Sequence, residues 1–189
     1  ITAELLRGGL IEEVPRDSSG DEATRGRPRI DLKISGPAHL IAGLKVSDTT
    51  ISMVLMDFEG QDVALHEHGI SSSRHTPEAL ANEVHDGLTR LAEKAGYALS
   101  DISGVGVGLA GIVDAGNGLV YWSPSLDQRN VPFATVLRDR LGIAAYVDND
   151  ANLVAMAELP FAIGEDHSDF IVLPIASGLG LGMDLGGQL

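Results

Sequence analysis

The sequence has no cysteine and few aromatic residues, 4% of 189 residues. Without cysteine it has neither disulfide bonds nor thiolate metal ligands. It contains no apolar run of the roughly 20 residues that a membrane-spanning helix needs, so we expect no membrane segment. No charged stretch followed by an apolar core precedes the first predicted domain, so we expect no signal peptide and a cytoplasmic protein. With 44% hydrophobic residues, the composition predicts a globular protein of one or two domains.

Basic residues are also scarce, since 13 lysines and arginines face 27 acidic residues and the net charge is -14. Such an acidic chain argues against general nucleic-acid binding, because polyanions bind basic surfaces. Residues 24–30 differ from the rest, because they contain no acid and hold Arg25, Arg27 and Arg29. The sequence thus predicts an acidic body with one small basic element.

The first residues predict a helix followed by a two-stranded hairpin. Residues 1–6 have the pattern of a helix end closed by Gly8 and Gly9, and strands are predicted over residues 10–14 and 29–34. Composition alone favours a solvated linker with scattered arginines. The order of the parts favours the last half of a winged helix-turn-helix, whose helix enters the major groove of DNA. The candidate DNA-binding residues are then Thr2, Arg25, Arg27 and Arg29.

A breaker at residues 35–37 predicts a domain boundary, and three strands with tight turns follow over residues 40–46, 51–58 and 63–68. Two histidines, His66 and His68, lie on one face of the third strand. Because no third ligand is in reach, we predict that these two histidines are exposed strand residues and do not form a metal site. A helix is predicted over residues 76–96, with Thr76 as N-cap and an apolar stripe of Leu80, Val84, Leu88 and Leu91.

Residues 102–111 predict an apolar strand with glycine at every second position. We expect it to be buried, with another element packed closely against one face. The glycines lie inside the strand and no helix start follows them, so a dinucleotide-binding fingerprint is not favoured. A hairpin over residues 112–120, an irregular segment over residues 121–126, and a helix from Pro132 to Gly142 are predicted next.

Three consecutive polar residues, Asp148, Asn149 and Asp150, stand between a predicted strand over residues 144–147 and a predicted helix over residues 151–159. Open α/β sheets hold ligands at the carboxyl ends of their strands. There Asp150 could accept a proton from a substrate hydroxyl or hold that hydroxyl by a charge-assisted hydrogen bond. Alternatively, one of the three only caps the helix. A cap needs one side chain, and here there are three.

A glycine-rich turn over residues 176–182 separates two predicted strands, over residues 169–175 and 183–189. Glycines in this setting let backbone N–H groups approach a phosphate. No helix N-terminus follows closely to add its dipole, so a plain β-hairpin is an equal alternative.

Taken together, these segments resemble the ROK proteins (repressors, open reading frames and sugar kinases). The resemblance covers nearly the whole chain: residues 41–60 are similar to the family's first phosphate strand and turn, 105–114 to "GxGxPGxVD", 123–126 to "PNL", 147–152 to "NDAN" and 175–182 to "GTGxGxG". It implies an α/β fold with actin- and hexokinase-like (ribonuclease H-like) ATPase lobes, preceded by part of a winged helix-turn-helix. The domains expected are residues 1–36 (partial winged helix-turn-helix), 37–124 (first kinase-like lobe) and 125–189 (start of the second lobe).

The resemblance also implies the site residues. Asn149 and Asp150 would hold sugar hydroxyls, Asp150 would be the catalytic base in a kinase, and the backbone of Ala110 and Gly111 would line the same pocket. Ser125 stands where the family has the "PNL" asparagine, which weakens one sugar contact. The remnants of the two phosphate loops would be Ser47, Asp48, Thr49, Ser177, Gly178 and Gly180.

One departure from the family pattern concerns ATP. Family kinases carry Asp-x-Gly-Gly-Thr-Lys at the first phosphate turn, where the acid helps to place magnesium. Here Lys45 replaces that acid, and Asp48 would face the phosphates. Two like charges at close range in a partly dry site cost on the order of several kcal/mol, enough to abolish useful ATP binding.

We therefore expect a sugar-responsive transcriptional regulator, acting as a repressor, with operator DNA and a sugar or sugar phosphate as partners. We expect a homodimer or homotetramer. The alternatives are an ATP-dependent sugar kinase that uses Mg-ATP, and an inactive sugar-binding protein without a DNA-binding part. The resemblance implies truncation at both ends, no cofactor within these residues, and the family's zinc segment after Leu189.

Overall fold

The computed structural model describes residues 1–14, 31–158, 169–172 and 182–185. Its helices are α1 (Thr2–Arg7), α2 (Pro77–Lys94), α3 (Phe133–Leu141) and α4 (Asp150–Glu158). Its strands are β1 (Ile11–Val14), β2 (Asp31–Ile34), β3 (Leu40–Val46), β4 (Thr50–Met56), β5 (Asp62–Gly69), β6 (Ile102–Leu109), β7 (Ile112–Asp114), β8 (Leu119–Trp122), β9 (Ala144–Asn149), β10 (Asp169–Val172) and β11 (Gly182–Leu185). Short 3-10 turns cover Gly36–Ala38 and Leu99–Asp101.

A five-stranded mixed sheet of order β5-β4-β3-β6-β9 is the centre of the described part of the chain. The predicted meander is confirmed, because β3, β4 and β5 pair antiparallel. Strands β6 and β9 then continue the sheet parallel to β3. In β3 and β4 alternate residues are buried, since one side of the sheet carries the core.

Helix α2 covers the core face of the sheet, as its sequence pattern predicts. Thr76 caps the helix, its Oγ1 accepting a hydrogen bond of 3.2 Å from the amide of Ala79. The whole predicted stripe is buried: Leu80, Val84, Leu88 and Leu91 have no exposed surface. Burying a side chain of this size stabilises the fold by roughly 1.5–3 kcal/mol, so this stripe is a major part of the core.

The glycines of β6 lie on the other face of the sheet, and among the described residues the expected close packing is seen at the carboxyl end of the strand. A Cβ at Gly108 would lie 2.8 Å from Cδ1 of Leu153 in α4, so that helix packs against β6 there. A Cβ at Gly106 would meet nothing within 4 Å. Within the described residues α4 covers only the carboxyl end of this strand, and for Gly106 the covering element stays a prediction.

At the amino end, helix α1 is followed by the antiparallel pair β1–β2, in the order that the sequence predicts. The candidate DNA-binding residues Arg25, Arg27 and Arg29 lie outside the described residues, and Thr2 is exposed on α1. The hairpin meets the central sheet at the turn between β4 and β5. There Lys33 Nζ lies 2.8 Å from Glu12 Oε1 and 3.6 Å from Glu59 Oε1.

Several predicted element boundaries differ from the structure by one or two residues. Strand β9 continues to Asn149 and α4 begins at Asp150, because Asn149 supplies the cap of that helix. Tyr121 and Trp122 belong to β8 and not to an irregular segment. Strand β8 pairs with β7 on one side and hydrogen-bonds to residues 130–131 on the other. The predicted domain boundaries at residues 36 and 124 stay predictions. Strand β9 follows the second of these boundaries in sequence and is nevertheless a strand of the central sheet.

Candidate functional site

Three parallel strands end side by side and bring the predicted site residues to one edge of the sheet. Val46 of β3 pairs with Leu109 of β6, and Leu109 pairs with Asn149 of β9. The segments that follow are the turn at residues 47–49, the loop at residues 110–111, and the start of α4. These are the positions at which the sequence predicts phosphate-turn, pocket-lining and sugar-holding groups, respectively.

Asn149 resolves the choice between a helix cap and a binding group. Its Oδ1 accepts hydrogen bonds from the amides of Ala151 (2.8 Å) and Asn152 (3.2 Å), which makes it the cap of α4. Its Nδ2 donates to the carbonyl oxygen of Gly111 at 2.7 Å. An amide offers two donor hydrogens, and within the described residues only one of those of Asn149 has an acceptor.

Asp148 also has a structural role in this turn. Its Oδ1 accepts from the amide of Asn149 at 2.6 Å and from Nδ2 of Asn152 at 3.3 Å. With Asn149 as the cap and Asp148 as a brace for the turn, the local backbone does not need the third polar side chain, Asp150. Within the described residues, the carboxylate of Asp150 is therefore the group in this run without a hydrogen bond, and its charged neighbour is Lys45.

Lys45 is the charged neighbour of Asp150. Its Nζ lies 3.9 Å from Oδ2 of Asp150, beyond hydrogen-bond distance, with 47% of the lysine side chain and 28% of the aspartate side chain exposed. A pair of this exposure contributes at most about 1 kcal/mol to stability. Both charged groups thus remain accessible at the sheet edge, with an anion and a cation side by side.

Gly111 brings the β7–β8 hairpin against the site. It has φ of +139°, and a Cβ there would lie 2.1 Å from the carbonyl oxygen of Trp122 and 2.9 Å from Cα of Ser123. No other residue type fits this position without moving the hairpin. Ala110 precedes it at the end of β6 and is partly buried.

Ser125 lies in the segment after the hairpin and is 5% exposed. Its amide donates to Oγ of Ser123 at 3.2 Å, and its carbonyl accepts from the amide of His75 at 3.0 Å. The sequence did not indicate His75, which is buried and whose Nε2 lies 2.6 Å from the carbonyl oxygen of Ser72. Its signal was weak, because His75 stands one residue before a helix cap and has no apolar periodicity around it.

The first predicted phosphate turn is a tight β-turn between β3 and β4. The amide of Ser47 donates to the carbonyl of Thr50 at 2.9 Å, and the carbonyl of Thr49 accepts from the amide of Ile70 at 2.9 Å. Asp48 and Thr49 are exposed. The second predicted loop, with Ser177, Gly178 and Gly180, lies outside the described residues.

The prediction that His66 and His68 are exposed is wrong. Both lie on the core face beneath α2, where His68 is 5% exposed and its Nε2 lies 2.8 Å from Oε2 of Glu83. Gly87 of α2 makes room for Met53 and His68, since a Cβ there would overlap the end of the Met53 side chain and lie 3.1 Å from Cβ of His68. Burial lowers the pKa of His66, and the positive charges of His68, Lys94 and Arg90 lower it further.

A cavity of about 610 Å³ opens beside Lys45 between β3, β4 and β5, lined in part by Ser52, Val54, Leu65 and Glu67. Lys45 lines this cavity, whereas Asn149 and Asp150 do not. Within the described ranges, no group of three or more histidine and acidic side chains could hold a metal ion. None of the helices described is long and apolar enough to cross a membrane.

Comparison with known proteins identifies the sequence's relatives. The ROK family model matches residues 41–189. The xylose repressor of Caldicellulosiruptor bescii is 27% identical over 189 residues, which are 100% of this chain and 46% of that protein. The glucokinase of Streptomyces coelicolor is 30% identical over 150 residues, 79% of this chain and 45% of that protein. The chain thus spans about half the length of the curated relatives it matches.

A solved ROK family transcriptional regulator, a homologue of the E. coli MLC protein, has the same fold. It aligns with a TM-score of 0.75 and 21% identity, over 99% of this chain and 46% of that one. At this identity the similarity establishes the fold alone. With the central mixed sheet, it confirms the predicted actin- and hexokinase-like fold class.

Proposed function

The chain belongs to the ROK family, and on that premise we propose that it acts as a sugar-responsive transcriptional regulator, a repressor. Its kinase-like domain binds a sugar or sugar phosphate at the strand-end site. Residues 1–36 form part of a winged helix-turn-helix that binds operator DNA. In this proposal the protein binds the sugar without phosphorylating it.

The observation that carries this proposal is the difference in coverage between two kinds of relative. The xylose repressor aligns over 100% of the chain, whereas the glucokinase aligns over 79%. The family model begins at residue 41, so the amino-terminal residues are what this chain shares with the repressor beyond the family domain. In those residues, helix α1 and the pair β1–β2 stand in the order of a winged helix.

The geometry of the strand ends supports sugar binding. Asp150 presents an accessible carboxylate, which is a strong acceptor for sugar hydroxyls. Asn149 keeps one N–H for the ligand and holds the loop at Gly111 in place by its 2.7 Å hydrogen bond. The β7–β8 hairpin packs against Gly111. Together with Ser123 and Ser125, which follow it, this hairpin would form the adjacent wall of the sugar pocket.

Sugar kinase activity is the second candidate, favoured by 30% identity to a glucokinase and by the retained Asp150. Lys45 opposes it. Its ammonium, 3.9 Å from the carboxylate, competes with a sugar hydroxyl for the oxygen that a catalytic base must use. It also stands where the family's kinases have the acid that helps to place magnesium.

Signal transfer to DNA would run through the sheet. The turn between β4 and β5 contacts the amino-terminal unit: the amide of Phe58 donates to the carbonyl of Gly36 at 2.9 Å, and Glu59 lies near Lys33. The other end of β4 meets the turn at residues 47–49, next to the site. Sugar binding would favour one closed arrangement of the lobes and so change the spacing of paired DNA-binding units in a homodimer or homotetramer.

The test uses the full-length gene product in calorimetric titrations with hexoses, pentoses, aminosugars and their phosphates, with and without Mg-ATP, beside a coupled ADP-release assay. We expect one ligand to bind without an effect of Mg-ATP and without turnover. Asp150→Asn should weaken that binding, whereas Asp139→Asn, at an exposed position of α3, should not. Steady sugar-dependent ADP release would replace this proposal with the kinase.

DNA binding is tested separately. Selection of the gene product on random duplexes should enrich a two-fold symmetric site, and the ligand found by calorimetry should change its mobility shift. Replacing Arg25 and Arg27 by alanine should weaken binding and lower its salt dependence. Absence of any enriched site would leave the third possibility, a sugar-binding protein without a DNA-binding function.

A further inference from the structure

Lys45 differs from the other lysines of the chain in what its ammonium contacts. Lys33 lies 2.8 Å from a carboxylate oxygen of Glu12, and Lys94 donates to the carbonyl of Leu65 at 2.8 Å. The nearest acidic oxygen to Lys45 is that of Asp150, at 3.9 Å. Within the described residues, Lys45 therefore has no acceptor at hydrogen-bond distance, although an ammonium has three donor hydrogens.

The position of Lys45 directs those donors to the candidate site. It stands near the carboxyl end of β3, where it pairs with Gly108 of β6 and precedes the turn at residues 47–49. Because the glycine has no side chain, nothing on the neighbouring strand separates Lys45 from the start of α4 on that face. The Lys45 side chain is 47% exposed, so its ammonium can contact a ligand while it stays beside Asp150.

We propose that Lys45 is a specificity-determining residue that makes the site select sugars carrying one anionic group, with a hydroxyl of the sugar at Asp150 and the anionic group at the ammonium of Lys45. The inference rests on the proposed sugar-binding function and narrows its ligand class. Phosphate and carboxylate have the same chemistry toward an ammonium, so a sugar phosphate and a sugar acid are the two sources.

The charges around the site limit the ligand to a single anionic group. Lys45 and Asp150 together are neutral, so a neutral sugar gains little from the lysine, whereas an anion gains charge-assisted hydrogen bonds. Asp48 is exposed in the adjacent turn and repels further negative charge. A polyphosphate such as ATP would bring several charges toward Asp48, but a monophosphate or carboxylate can lie at Lys45 alone.

The experiment compares matched ligands on matched variants of the full-length gene product. Neutral sugars, their 6-phosphates and their uronic acids are titrated against wild type, Lys45→Met, Lys45→Arg and Lys33→Met. Methionine keeps the length of the side chain without its charge, and arginine keeps the charge. Lys33 lies at the opposite end of the sheet, so Lys33→Met controls for the loss of one positive charge.

For wild type we expect an anionic sugar to bind at least about 10-fold more tightly than its neutral parent, as expected when a charged group gains a hydrogen-bonding partner. Lys45→Met should remove this preference and leave the affinity for the neutral parent within about threefold. Lys45→Arg should keep most of the preference for the anionic sugar, and Lys33→Met should keep all of that preference. Raising the salt concentration should reduce the preference in wild type.

Two results would overturn the role of Lys45 while leaving a sugar site intact: equal or tighter binding of the neutral parent by wild type, or an equal loss for both ligand types in Lys45→Met. The second would mean that Lys45 only neutralises Asp150. If no sugar of either kind binds, the proposed sugar site fails and this inference fails with it. The phosphate and uronic acid arms decide between the two sources.

Discussion

The side-chain amide of Asn149 joins two parts of the candidate site, donating to the carbonyl oxygen of Gly111 at 2.7 Å while its own oxygen caps α4. The loop after β6 and the start of α4 are thereby fixed relative to each other by one residue. A change at Asn149 should therefore affect both the stability of the fold and the shape of the pocket.

Two substitutions at Asn149 separate its two roles. Asn149→Asp keeps an oxygen for the amides of Ala151 and Asn152 but loses the donor to Gly111, whereas Asn149→Ala loses both. We expect alanine to lower the free energy of unfolding by about 1–2 kcal/mol through the cap. A further loss of about 1 kcal/mol should come from the missing hydrogen bond. Urea denaturation measures both.

Aspartate should be less destabilising than alanine, yet it should weaken sugar binding as much, because its carboxylate repels the carbonyl of Gly111. Asn117→Ala, which removes one exposed hydrogen bond to Asp114 in the turn between β7 and β8, is the control for loss of an asparagine away from the site. Equal stability of the alanine variant and wild type would show that the cap and the Gly111 bond contribute nothing measurable.

The elements of this fold were predictable wherever local pattern and tertiary packing agree. Thr76 caps α2 and the stripe from Leu80 to Leu91 is buried, because a long amphipathic helix has only one face that it can bury. The meander of β3, β4 and β5 followed from alternation and tight turns. The candidate site is predicted at the strand ends because parallel strands end on one edge of the sheet.

Which side chain does what at that edge could not be read from the sequence. Asp148, Asn149 and Asp150 are all good capping residues, and only the position of Gly111 across the sheet selects Asn149. His68 looked like an exposed strand residue, because its burial depends on Gly87 of α2 leaving space above it. Both outcomes depend on contacts with residues distant in sequence, which the local periodicity of a strand or helix does not reveal.

Gly111 and Gly106 are a matched pair for testing the close approach of the hairpin. Gly111→Ala would place a methyl group 2.1 Å from the carbonyl oxygen of Trp122 at φ of +139°. We expect a loss of unfolding free energy of about 1–3 kcal/mol or more from the strained backbone and the displaced hairpin. Gly106→Ala places its methyl group in open space, and should be neutral or stabilising by about 0.5–1 kcal/mol.

Trp122 is the only tryptophan in the sequence, so its fluorescence emission reports the surroundings of the hairpin during urea denaturation. The emission wavelength of the folded protein should shift in Gly111→Ala and stay unchanged in Gly106→Ala. If both alanine variants had the same stability and the same emission, the tight contact at Gly111 would not exist in solution.

The N-cap of α2 offers a third prediction, on the largest helix of the core. Thr76→Ala removes the acceptor for the amide of Ala79 and should lower the free energy of unfolding by about 1 kcal/mol. Thr76→Ser keeps the hydroxyl and should retain most of the stability. Loss of stability in both variants to the same extent would assign the effect to packing of the threonine methyl group and not to the cap.

The lowered pKa of His66 makes the stability of this fold depend on pH in a predictable direction. The Nε2 atom of His66 is buried and has no hydrogen-bond partner within the described residues. Burial disfavours its charged form most, and the neighbouring His68, Lys94 and Arg90 add repulsion, against a weaker opposing attraction from Glu67. In the unfolded chain this histidine has a pKa of about 6.5.

Because the folded state binds the proton less readily than the unfolded state, protonation favours unfolding. The stability that depends on neutral His66 is therefore present above about pH 6.5 and is lost as the pH falls through that value toward the lower pKa of the folded state. Urea denaturation of wild type at pH 7.5, 6.5 and 5.5 should show a falling free energy of unfolding. His66→Leu should show a smaller fall over the same interval.

The comparison isolates the effect of His66 together with its charge interaction with His68, since the other titrating groups are common to the two proteins. The quantity to measure is thus the change with pH in the gap between wild type and His66→Leu, not the stability of either alone. A gap that stays constant from pH 7.5 to 5.5 would mean that His66 accepts its proton as easily in the folded protein as in the unfolded chain. That result would require water or a hydrogen-bond acceptor to reach its ring beneath α2.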